Sequence, residues 1–72
     1  MTIEELKQRF IDGSLEQGIF TTHNELMEDQ IITVGPDGFR ISTSQYNGWL
    51  RVNTYTYEPS TERWTTEETY EK

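Results

Sequence analysis

The side chains here with catalytic or metal-binding chemistry are one histidine, thirteen carboxylates and the serines Ser14, Ser42, Ser44 and Ser60; cysteine is absent. His23 has Glu25, Glu28 and Asp29 nearby, so a metal would be held by one imidazole and carboxylates of a single short segment. Zinc sites need several His or Cys at fixed spacing, and calcium loops alternate oxygen ligands around a central glycine; neither pattern is present. No serine lies in a Gly-x-Ser-x-Gly elbow, and a single histidine would have to serve all four as base. The pair Gly35-x-x-Gly38 lacks the lysine and following helix of a phosphate loop and reads as a hairpin turn. In so small a domain most carboxylates are solvated, with no deep cleft to raise a pKa for acid–base work. The expectation is a protein without enzymatic activity, catalytic residues, metal or cofactor.

One constellation stands above this background. Tyr46, Trp49, Arg51, Tyr55, Tyr57, Trp64, Glu68 and Tyr70 crowd the C-terminal half, and Tyr, Trp and Arg are the types enriched at binding hot spots. They bring large contact area at small entropy cost and keep a polar tip. Arg51, Asn53 and Glu68 beside flat rings would also suit a small ligand such as a sugar, a lesser alternative. Stabilisation of the sheet by cross-strand aromatic pairs is the plainer explanation of the same residues.

The elements that must position these residues are legible in part. Thr2 and Glu5 make a capping box, Ile3, Leu6, Phe10 and Ile11 share a helical face, and Gly13 is a left-handed stop, which predicts an amphipathic helix over 3–12. Ser14 and Gln17 suggest a further single helical turn. Residues 14–29 form a connector with conflicting signals: Ile19-Phe20-Thr21-Thr22 favours an extended segment, whereas Asn24 to Glu28 suits a short helical turn.

From about 30 to 70, the turns Gly35-Pro36-Asp37-Gly38, Asn47-Gly48 and Glu58-Pro59-Ser60-Thr61 separate four strand-like runs. Asn47-Gly48 read as a two-residue type I′ turn sets Tyr46 opposite Trp49, Thr43 opposite Val52 and Ile41 opposite Thr54. Hydrophobic matching pairs Val34 with Phe39 and Ile32 with Ile41. The third turn, of two residues or of four with the same symmetry, pairs Tyr57 with Trp64, Tyr55 with Thr66 and Asn53 with Glu68. The predicted architecture is α+β: an N-terminal amphipathic helix packed on one face of a four-stranded antiparallel β-meander, a single domain over 1–72. In these registers Phe39, Ile41, Leu50 and Val52 face the helix. The aromatic set faces away, and Arg63, Thr65, Glu67 and Thr69 turn polar groups toward the helix side on an exposed edge strand.

Charge narrows the partner. A formal charge of −7 over 72 residues opposes direct binding of nucleic acid or anionic lipid, which rests on basic side chains releasing counterions. No apolar run approaches the ~20 residues of a membrane span, and nothing asks for an oxidising compartment, so the cytoplasm is the expected location. Only Ile, Leu, Val and Phe at 15 positions supply strongly apolar bulk, and domains this small gain stability by docking or oligomerising. The expected partner is another protein, basic in character, or a second copy joined through the aromatic face as a structural homodimer. Size and acidity together are similar to phage and mobile-element products that occupy the basic surface of a nucleic-acid-handling protein. That analogy points to an inhibitor without any motif behind it.

Overall fold

A computed structural model describes residues 2–45 and 47–72. The helix α1 spans Ile3–Asp12 and is followed by five strands: β1 (Gly18–His23), β2 (Asp29–Val34), β3 (Gly38–Ser44), β4 (Leu50–Glu58) and β5 (Arg63–Glu71). They form one antiparallel sheet in the order β1-β2-β3-β4-β5. No helix among the described residues is long and apolar enough to cross a membrane.

Local chemistry explains the helix. The Thr2 hydroxyl accepts from the Glu5 backbone N–H at 3.2 Å, the Glu5 carboxylate accepts from the Thr2 N–H at 3.3 Å, and Gly13 closes the last turn at φ 77°. The helical turn expected at Ser14–Gln17 does not form. Ser14 donates through its backbone N–H and its hydroxyl to the Arg9 carbonyl at 3.0 and 3.3 Å, so the side chain needed as a cap completes the end of α1 instead.

The sheet has five strands rather than the expected four, because the connector contains β1. Its extended reading prevails: Asn24 accepts from the N–H groups of Leu26 and Glu28 at 3.0 and 2.9 Å, turning the chain back instead of starting a helix. Asn24 and Glu28 are joined by a backbone bond at 3.2 Å, and Met27 at φ 61° lets the loop close.

Two registers agree with the sequence reading. Val34 faces Phe39 and Ile32 faces Ile41, while Tyr57 faces Trp64, Tyr55 faces Thr66 and Asn53 faces Glu68. The register between β3 and β4 does not. Ser42, not Thr43, faces Val52, and Ile41 faces Asn53, a shift of one residue. The Gln45 N–H donates to the Trp49 carbonyl at 2.8 Å, the Gly48 N–H donates to the Gln45 carbonyl at 3.2 Å, and Gly48 takes φ 88°. This is the loop class that ends in a left-handed glycine, where a two-residue turn was expected. The pairing of Tyr46 with Trp49 falls outside the described residues.

A shift of one residue exchanges the faces of everything beyond it. Phe39 and Ile41 do face α1, with Leu6, Ile32 and Val34 as the buried core, and Tyr55 and Trp64 pack against that core. Leu50 and Val52 lie on the outer face with Arg63, Thr65, Glu67 and Thr69, opposite to the expected side. The physical reason is area: each aromatic ring buries ~150–250 Å², more than Leu50 and Val52 can offer in its place. Val52 is nevertheless only 1% exposed. Arg40 on β3 and Glu71 on β5 form an ion pair at 3.1 Å. Their partners across β4 are Thr54 and Leu50, so the bridge passes over the residue between them, Val52. The pair itself is exposed and worth little.

Candidate functional site

The aromatic residues selected from the sequence divide into three groups. Tyr55, Tyr57 and Trp64 meet Phe10 of α1 and Phe39 of β3 on the helix side. Trp64 lies 5.5 Å from Phe10, 5.5 Å from Phe39 and 5.1 Å from Tyr57, and Phe39 stacks on Tyr55 at 4.9 Å. Lys7 caps the cluster, its Nζ 5.6 Å from the Tyr55 ring and 5.7 Å from Trp64. These three rings are the aromatic wall of the core, and the expectation that they form a free face opposite the helix is overturned.

Arg51, Asn53, Glu68 and Tyr70 continue the same face along β4 and β5, where Asn53 pairs with Glu68 and Arg51 with Tyr70. The Tyr70 hydroxyl donates to Glu68 at 3.2 Å. Burial pushes the Tyr55 phenol above its ordinary value; the negative charge of Glu68 adds to the rise and Arg51 opposes it. Trp49 sits at the hairpin tip with Lys72 5.2 Å from its ring centre and, with Gln45, Asn47 and Tyr70, lines a shallow dip of about 350 Å³. Tyr46 lies outside the described residues.

A different site comes from residues not selected as partner-binding. Between α1, the segment that follows it and the first hairpin lies an open groove of about 820 Å³. Leu6, Ile32 and Ile41 form its floor; Leu15, Phe20 and Leu26 stand around it. Leu26 is 79% exposed and Phe20 39% exposed, both large apolar side chains open to solvent. Their positions follow from local structure. Phe20 faces Ile32 across β1 and β2, which puts it on the helix side, and the Asn24 turn holds Leu26 at the hairpin tip. Glu16 and Glu25 also line the groove, and the Arg9 guanidinium there donates to the Ser14 carbonyl at 3.3 Å. His23 is engaged by Asp29 at 3.1 Å. Among the described residues no three His, Asp or Glu side chains gather as a metal site.

The sequence signal for this groove was Phe20 and Leu26, two bulky apolar side chains in a segment too short to bury them. What such a groove can do is receive apolar side chains while neighbouring carboxylates attract positive charge. No protein-family model, no curated protein and no solved structure matches the chain.

Proposed function

We propose that this chain is a non-enzymatic, acidic protein-binding module that takes up apolar side chains of a basic partner protein in the groove between α1 and the first hairpin. The observation that carries the reading is the open apolar groove whose floor is the core itself and whose rim presents Phe20 and Leu26 to water. Apolar surface left uncovered beside a core gains from a partner by the same effect that builds the core. The formal charge of −7 favours a basic surface and steers its approach. An inhibitor that occupies the basic surface of a nucleic-acid-handling protein in the cytoplasm is the most specific form of this function.

Affinity capture from native host lysate with parent, Leu26→Ser and Trp49→Ala baits tests the reading. Leu26 is exposed, so its replacement leaves folding intact. A basic protein retained by the parent and by Trp49→Ala, weakened by Leu26→Ser and released as salt rises supports it. A partner lost with Trp49→Ala and indifferent to Leu26→Ser would move the site to the dip at the second hairpin.

A further inference from the structure

Both edges of the sheet are open, and they are built differently. β5 carries Arg63, Glu67, Glu68 and Glu71, charges of the kind that discourage strand addition. All six residues of β1, Gly-Ile-Phe-Thr-Thr-His, are exposed, and they include no Asp, Glu, Lys, Arg or Pro. In a chain with thirteen carboxylates, this strand is an edge that another strand can approach without meeting a carboxylate on it.

The hydrogen-bond phase of β1 decides which of its groups are free. Asn24 and Glu28 form a bonded pair at 3.2 Å just beyond the strand. Bonded and non-bonded pairs alternate along an antiparallel ladder, so Thr22, Phe20 and Gly18 turn their backbone groups toward β2. Ile19, Thr21 and His23 therefore turn theirs outward, where the His23 carbonyl accepts from the Thr22 hydroxyl at 3.5 Å and keeps its second lone pair for a strand partner.

We propose that β1 pairs antiparallel with β1 of a second copy of this chain, with Thr21 opposite its own counterpart on a two-fold axis. That register sets Ile19 opposite the second copy's His23 and satisfies all the outward groups of Ile19, Thr21 and His23 in both chains. Phe20 falls opposite Thr22 on the helix side, and beyond the strand Gln17 meets Glu25 and Glu16 meets Leu26. No carboxylate faces another in that register, which is what lets two chains of the same strong negative charge join here. The axis runs perpendicular to the sheet, so the two sheets continue into one, with both helices on the same side. A self-complementary strand of this length has its own copy as the partner that matches every position. The dimer goes beyond the groove reading: it rests on the outward backbone groups of β1, while Phe20 and Leu26 border both surfaces.

Sedimentation equilibrium of the full chain gives the first readout: a dimer that dissociates reversibly on dilution. Thr21→Pro deletes an outward N–H in each chain without touching the ladder to β2, and weakens the dimer by about tenfold or more. Thr21→Lys keeps the backbone intact, sets two ammonium groups face to face, and has the same effect should the proline variant fail to fold. Circular dichroism confirms folding of each variant. Register is read by adding the chain's only cysteine. Thr21→Cys cross-links to itself on oxidation, with Cα atoms ~5.5 Å apart, whereas Ile19→Cys, ~14 Å from its counterpart, does not. A parent that remains monomeric throughout, a dimer indifferent to folded Thr21 variants, or cross-linking through Ile19→Cys alone overturns the proposal.

Discussion

A methyl group added at Gly38 would overlap the Tyr55 carbonyl oxygen and lie 2.9 Å from its carbonyl carbon and 3.0 Å from the Thr56 Cα. All of these atoms are backbone of β4, so no side chain can swing away. Ordinary carbon–oxygen contacts are ~3.3–3.6 Å, and restoring them requires β3 and β4 to part by roughly 1.5 Å. One hydrogen bond ties that corner to β4, from the Tyr57 N–H to the Asp37 carbonyl at 2.9 Å. Its loss at ~0.5–1.5 kcal/mol, with strain of ~1–3 kcal/mol, predicts that Gly38→Ala costs ~3 kcal/mol. A domain of 72 residues has a total stability of only ~4–11 kcal/mol, and the melting temperature should fall by ~12–24 °C. Gly35→Ala, in the same turn, meets nothing within 4 Å at an ordinary φ, and should be neutral or up to ~1 kcal/mol stabilising. Thermal and urea denaturation of both variants checks the pair. A Gly38→Ala chain within ~0.5 kcal/mol of the parent would refute the close approach of β3 to β4, and with it the register drawn here.

The two tryptophans give a second check on the register. Trp64, packed on Phe10 and Phe39, should cost ~2–4 kcal/mol when replaced by alanine, whereas Trp49→Ala should stay within ~1 kcal/mol in urea denaturation. The raised Tyr55 phenol makes stability depend on alkali. The unfolded chain ionises first, near the ordinary value of about 10, so Tyr55's contribution is complete below that pH and is lost as pH rises through its higher folded value. Denaturation followed across this range should show the decline, and Tyr55→Phe should reduce it.

Local chemistry alone determined the helix and most of the meander. Thr2, Glu5 and Gly13 satisfy both ends of α1 from within a dozen residues, and each apolar match, Val34 with Phe39 and Ile32 with Ile41, is a neighbourly contact across a short turn. The β4–β5 register was legible too, because two- and four-residue loops around Ser60-Thr61 give the same pairing. The β3–β4 register was decided by tertiary structure. Asn47-Gly48 suits a two-residue turn and also a three-residue loop closed by left-handed Gly48, and local preference separates them by little. The choice falls to whichever face buries more area once α1 is in place, and Tyr55 and Trp64 against Phe10 and Phe39 outweigh Leu50 and Val52. The aromatic set followed that choice: Tyr55 and Trp64 pack on the core, whereas Trp49 and Tyr70 stay exposed. β1 itself was visible only as a β-branched run among conflicting signals. None of its residues is buried, so no core periodicity marks it, and its place as the fifth strand comes from pairing with β2.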